Sequence, residues 1–424
     1  MTGRFKITMT RTLTLSFCVA ALTSGSALAQ SSAAQTTDPL RLPQITVNVY
    51  KEPDDAQKLP VSVTAVPDAL LRDAGVGQVS DAGIFAPNTF FSEFTARKLS
   101  NARFRGIGSS PANPGITTYI DGVPQLNTNS SNIGFMDVEQ VEFVRGPQSA
   151  LFGRNTLGGL VNIATRRPSL SRWTGTVIVP FGNYSEWDAR ASASGPLGDR
   201  LAVGLMLGRG TRDGFTTNDA TGNDLDYRKA SYGRAQLLWT PTSQWEARVV
   251  VSGERARDGD YALNDLAALR QNPFHASRDF EGFTNRDIFS TTLQTRHEGA
   301  RLSFSTTTGF VSWNTQDLTD LDYSIQPLIT RNNREEDFQF TQEVRFASAS
   351  GAPVRLGNAG ILRWQSGVFV FTQDYDQDAV NNFSPFVLSP FVDFPVSQHS
   401  PQSALDDLGV GVYGQATATF TDRF

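Results

Sequence analysis

From Trp173 onward the sequence repeats with a period of two, and it keeps that period through most of its remaining length. In 231–239, Gly233, Ala235, Leu237 and Trp239 take one side while Tyr232, Arg234 and Gln236 take the other. In 338–346, Phe338, Phe340, Val344 and Phe346 oppose Gln339, Thr341, Glu343 and Arg345. Trp245, Ala247, Val249 and Val251 oppose Glu246, Arg248 and Ser252 in the same way. Successive side chains of a strand point to opposite faces, so each segment is a strand with one greasy face and one charged face. Strands of soluble sheets typically run about 5–6 residues. These run to about ten, the length of a strand that crosses a bilayer in a closed sheet.

Ten such strands are expected, near 173–181, 185–194, 200–210, 229–239, 244–253, 287–297, 301–314, 336–347, 361–373 and 409–420. Their second, fourth, sixth and eighth connections are the shorter ones. The third, fifth, seventh and ninth are longer, about 18 to 35 residues within the usual boundary error. Only the first, around Gly182 and Asn183, breaks the alternation. Short turns at one end and long loops at the other favour an outer-membrane barrel over a soluble β protein.

The N-terminus has the three parts of an export signal: cationic Arg4, Lys6 and Arg11, an apolar run over 13–22, and Ala27-Leu28-Ala29 before Gln30. That run is too short to span a bilayer as a helix. Removal of 1–29 would take with it Cys18, the chain's single cysteine. Residues 30–58 are expected to be disordered, apart from a β-prone stretch at 44–50 in which Ile45, Val47 and Val49 share one side. Such a stretch either adds to the sheet edge of a partner or begins the next domain.

Residues 59–167 read as one small mixed α/β domain. Short strands are expected at 60–66, 118–120, 141–144 and 160–163, with a helix at 67–73 that starts at Pro67 and stops at Gly75. Its most turn-rich stretch, 141–159, reads VEFVRGPQSALFGRNTLGG. The glycine spacing of 153–159 approaches that of a phosphate-binding loop, but Gly159 stands where the lysine belongs. With His275, His297 and His399 scattered and no mature thiol, no nucleophile–base pair assembles, and an enzyme is not expected. A net charge of −5 gives no sign of nucleic-acid binding.

Size adds a constraint. Ten strands about 4.8 Å apart, tilted about 40°, close to a tube roughly 20 Å across. A domain of about 110 residues has a radius of gyration of roughly 13 Å and does not fit inside. About 22 strands would give roughly 44 Å, enough for a plugged lumen. The expectation is therefore an incomplete barrel.

In order, QITVNV (44–49), PVSVTAV (60–66), RFRGIG (103–108), YIDGVP (119–124) and VEFVRGPQSALFGRNTLGGLVNIAT (141–165) resemble the TonB-dependent outer-membrane receptors. FTQEVRFA (340–347) and 413–420 are weaker echoes in the strand region. The resemblance implies a small mixed α/β plug domain over 59–167, followed over 168–424 by antiparallel transmembrane β-barrel strands, about ten of an expected 22. It implies a Gram-negative outer-membrane location, with the N-terminal segment and plug accessible from the periplasm. Implied partners are TonB, outer-membrane lipid and a small-molecule ligand, most often a ferric siderophore or similar iron chelate, with no covalently bound cofactor. Ile45, Thr46, Val47, Asn48 and Val49 become the TonB-contacting box, although Asn48 departs from familiar versions. Arg105 and Arg145 become plug arginines latched to wall glutamates, with Glu343 as a partner. Ligand contacts are expected from Ser109, Ser110, Asn127 and Asn129 at the plug apex and from Phe383 and Phe386, with Phe391 and Phe394, in the ninth connection. The alternatives are a receptor for a non-iron nutrient, such as a carbohydrate or cobalamin, and a soluble secreted β-rich binding protein.

Overall fold

The computed structural model describes residues 46–48, 51, 54–93, 97–108, 114–349, 351–400 and 403–420. The expected export signal, together with Ile45 and Val49, lies outside them. The N-terminal module is a five-stranded sheet of β1 (Ser62–Pro67), β2 (Ile116–Ile120), β3 (Val123–Gln125), β4 (Val138–Arg145) and β5 (Gly159–Thr165), in the order β1-β4-β5-β2-β3. The β5–β2 pairing is parallel and the others are antiparallel. Helix α1 (Asp68–Asp73) follows β1 directly with Pro67 at its cap, and short α2 (Val79–Ala82) comes next.

Strand β4 lies inside the sheet and buries side chains on both faces, which is why 141–144 is almost continuously apolar. Phe143 joins Val66, Leu71, Phe104, Val161 and Ile163 in one core, and Val144 joins Tyr119, Leu151, Phe152 and Leu160 in another. Gly159 begins β5 at φ +136, and a Cβ there would stand 2.0 Å from the Val144 carbonyl oxygen and 2.9 Å from the Phe104 ring. Only glycine permits both that backbone and that approach.

A large sheet follows, here called the wall: β6 (Thr174–Ile178), β7 (Trp187–Gly198), β8 (Leu201–Arg212), β9 (Arg228–Trp239), β10 (Trp245–Asp258), β11 (Phe283–Glu298), β12 (Leu302–Asp320), β13 (Ile329–Ser348), β14 (Gly360–Phe383) and β15 (Ser403–Phe420). Each pairs antiparallel with its neighbour in sequence, and two short strands add to β14. All ten expected strands are present. At the long-loop end they outrun their expected limits, so that β13 has 20 residues and β14 has 24. The ladder continues there through polar pairs such as Arg334 with Gln316 and Asp320 with Thr330, which apolar alternation does not reveal.

The wall's polarity is inside out. Arg234, Gln236, Arg248, Glu254, Arg286 and Gln339 are buried on the face toward the module, while Leu205, Leu207, Leu237, Trp239, Phe338 and Phe340 are exposed on the other. Water would select the reverse, and a surface in contact with lipid requires this arrangement. Among the described residues no helix is long and apolar enough to cross a membrane. Gly159→Ala is expected to destabilise the module by more than about 1 kcal/mol, because it forces a positive φ on alanine beside a backbone oxygen. Chemical denaturation followed by limited proteolysis measures the loss, and unchanged resistance would refute it.

Candidate functional site

The buried polar face of the wall requires partners, because a desolvated charge is tolerated only when paired and hydrogen-bonded. The module supplies them, largely from its main chain. Arg286 Nη1 donates to the Asn129 carbonyl at 2.8 Å and Nη2 to that of Asn132 at 2.9 Å, while Nε pairs with Glu254 at 3.1 Å. Glu254 also accepts the Gly134 N–H at 3.3 Å. Arg234 donates to the Met136 carbonyl. Gln339 grips the chain at two points, accepting from Leu126 N–H at 3.0 Å and donating to the Pro124 carbonyl at 2.6 Å.

Cations of the module reach the other way. Lys98 is buried against Asp317, Glu335 and Thr315, and Arg97 meets Asp258 at 3.0 Å. Arg167 pairs with Glu246 and Arg154 with Asp407. Asp121, at φ +47 in the YIDG turn, accepts Thr165 N–H at 3.0 Å and Thr165 Oγ1 at 2.6 Å and lies 3.4 Å from Arg248. Burial works against its ionisation, but Arg248 and Arg234 outweigh that and hold its pKa below the ordinary value.

The N-terminal segment is docked on this interface. Thr46–Val47 pairs antiparallel with Asp54–Asp55. Val47 is fully buried among Tyr119, Val144, Leu151, Phe152 and Leu160. Gln140 donates to the Thr46 carbonyl at 3.0 Å, and the Asn48 N–H divides between the Glu142 oxygens at 3.0 and 3.2 Å. Lys51 then crosses to the wall. Its ammonium meets Glu343 and lies 4.9 Å from the Phe152 ring centre and 4.6 Å from that of Tyr413. Tyr413 donates to the same carboxylate at 2.7 Å, and Arg345 donates to the Lys51 carbonyl at 2.6 Å.

The TonB-dependent Receptor Plug Domain family matches residues 55–160. This chain carries a TonB-dependent receptor plug on barrel-type strands. Over 227 residues it is 35% identical to the pesticin receptor of Yersinia pestis, a match that covers 52% of this chain and 33% of that receptor. The crystal structure of the ferric yersiniabactin uptake receptor FyuA from Yersinia pestis superposes with a TM-score of 0.65 at 21% identity, covering 84% of this chain and 62% of that one. The P. aeruginosa receptor FpvA bound to a heterologous pyoverdine gives 0.70 at 14% identity, covering 89% and 52%. The chain thus spans less than two thirds of each of these relatives, and only a third of the pesticin receptor. They are receptors rather than enzymes.

Of the expected box, Thr46, Val47 and Asn48 are described, docked on the plug and outside its five-stranded sheet. The expected arginine latch is corrected. Arg145 lies along β1, bonded to Ser62 Oγ at 3.1 Å and Thr64 Oγ1 at 2.9 Å, because β4 and β1 pair with Arg145 opposite Ser62. Burial, with the like charge of Arg105, lowers its pKa. Arg105 is exposed at φ +51 in the turn after Phe104. Glu343 does hold a cation, and that cation is Lys51 of the N-terminal segment.

The expected ligand contacts divide. Ser109 and Ser110 lie outside the described residues. Asn127 and Asn129 are both buried; Asn129 Nδ2 donates to Glu335 of the wall at 2.7 Å, while Asn127 Oδ1 accepts the Asn129 N–H at 2.9 Å within its own turn. Phe383 ends β14, while Phe386, Phe391 and Phe394 stand exposed rather than packed beneath their loop. Sequence reasoning missed a cavity of about 380 Å³ bordered by Lys98, Tyr261, Leu263, Tyr323, Arg331 and Gln377. Only tyrosines in two separate loops signalled it.

Two predictions follow from the docked segment. Residues 30–424 contain no cysteine, so a V47C variant reports on docking through its rate of labelling. Adding Glu343→Gln removes a charged hydrogen-bond acceptor of Lys51, a loss of about 1.5 kcal/mol, and labelling should accelerate roughly tenfold. An unchanged rate would place the restraint elsewhere. Burial raises the Glu142 pKa, against the opposing hydrogen bonds from Asn162, Asn48 and Gln140. The folded plug therefore holds that proton to higher pH than the unfolded chain does. The Glu142 contribution favours folding in acid and is lost as pH rises through the raised value. Thermal melts of Glu142→Gln across pH 4–7 should show a flatter pH dependence than wild type, and parallel curves would refute this.

Proposed function

We propose that the chain serves as a TonB-dependent receptor of a Gram-negative outer membrane for energised uptake of a ferric siderophore or similar iron chelate. The observation that carries this is the docked N-terminal segment, with Val47 buried in the plug and Lys51 tied to the wall. A segment that must leave the plug to pair with a partner strand can carry a pull into the lumen. In this reading the plug occupies 59–167 and the barrel strands 168–424. Residues 45–49 contact TonB, Lys51 and Glu343 form the latch, and the long loops face outward. The cavity beside Lys98, with Tyr261, Tyr323 and Arg331, receives ligand together with the plug apex. The two tyrosines offer faces on which a planar chelate can stack, while Asp317 and Glu335 balance the cations Lys98 and Arg331 in the same lining.

Similarity to receptors named for pesticin and for ferric yersiniabactin supports an iron cargo. The test is uptake of radiolabelled ferric chelates by iron-starved cells carrying the intact gene. Val47→Pro should abolish uptake and leave surface binding unchanged, since proline removes a backbone donor from the paired strand. Uptake that survives this substitution would move the box elsewhere. Expression that ignores iron starvation, with no ferric uptake, would point instead to a carbohydrate or cobalamin cargo.

A further inference from the structure

The outward face of the wall carries its charges unevenly. At the long-loop ends of β8, β9 and β10, Arg209, Lys229, Arg255 and Arg257 all lie on the exposed side of the ladder. Ser231 stands between Arg209 and Arg255 in register, and Lys229 lies two residues further along β9. The four cations therefore form one patch across three adjacent strands. Asp287 on β11 accepts from Arg255 at 3.2 Å and from Arg257 at 2.9 and 3.0 Å. Among the described residues no carboxylate pairs with Arg209 or Lys229. Further round the wall the same level turns acidic, with Glu336, Asp374, Asp376 and Asp378 on the outward side of β13 and β14.

Height identifies the patch's surroundings. Trp239 and Trp245 flank the short turn between β9 and β10 and are exposed, as an interfacial aromatic girdle requires. Lys229 is ten residues from Trp239 on β9. At a rise of about 3.4 Å per residue and a tilt of about 40°, that is roughly 26 Å along the barrel axis. A lipid-facing apolar band is about 25 Å tall. The cations therefore sit where headgroups begin on the long-loop side, directly above Leu205, Leu207 and Leu237. Four guanidinium and ammonium groups offset by one carboxylate, level with headgroups and set over apolar surface, complement a phosphate tethered to acyl chains.

We propose that this patch is a specific binding site for the phosphate headgroup of an anionic lipid in the outer leaflet. The proposal rests on the membrane reading of the wall, which heat-modifiable migration on gels tests separately. The full receptor in detergent is titrated with dioleoyl phosphatidic acid or dioleoyl phosphatidylcholine, and bound lipid is counted by native mass spectrometry. Wild type should prefer phosphatidic acid at least fivefold, and the R209Q/K229Q/R255Q/R257Q variant should lose that preference. Arg334→Gln, which removes an outward cation from the acidic sector, should retain it. If the quadruple variant fails to fold, the R209Q/K229Q double variant is read instead, with a loss of at least twofold expected. Equal preference in wild type and a folded variant overturns the site. Equal loss in Arg334→Gln, or full displacement of the lipid by excess inorganic phosphate, also overturns it.

Discussion

The wall's inner face carries charges that neither lipid nor a dry interior tolerates alone, and the structure depends on their being matched by the plug. Without the plug's carbonyls and Asp121, Arg234 and Gln339 would lose the partners described above, and Arg248 and Arg286 would keep only Gln236, Gln294 and Glu254 of the wall. Removing one partner from a buried charged hydrogen bond is far more costly than the net gain from forming it. The interface therefore fixes the plug's position strongly without requiring much net affinity. Such a seal suits the proposed role, in which the plug stays in place at rest and is displaced by a pull on its N-terminal segment.

The docked N-terminal segment uses the same chemistry on a smaller scale. Thr46, Val47 and Asn48 use apolar burial and two shared backbone contacts, and Lys51 adds one cation at the junction of plug and wall. Burial, the largest influence, lowers the Lys51 pKa, with Glu343 opposing it. Glu343 and the two flanking rings replace the water that the ammonium gives up. The segment is thus held at two points, by Val47 buried within the plug and by the Lys51–Glu343 pair at the wall.

Much of the fold was legible because period-two alternation and turn glycines are local signals. All ten wall strands, four of the five strands of the plug sheet and helix α1 followed from them, while β3 did not. The strand extensions past the apolar band were not legible, since polar ladders such as those joining β12 to β13 leave no hydrophobic pattern. The site was harder to read. The resemblance offered Arg105 and Arg145 as latch arginines, with Glu343 as a wall partner. The pairing of β4 with β1 instead commits Arg145 to Ser62 and Thr64, which only three-dimensional register reveals. Lys51 was overlooked because a lone lysine after a β-prone stretch resembles any solvated one. Asp121 was hidden in a turn motif whose glycine seemed sufficient explanation.

The wall grips β3 and the loop after it chiefly through main-chain oxygens, at Pro124, Asn129, Asn132 and Met136. A carbonyl is present whatever side chain the residue bears. At these four positions Arg234, Arg286 and Gln339 recognise the path of the backbone rather than the side chains it carries. One barrel scaffold can in this way carry plugs of quite different surface chemistry.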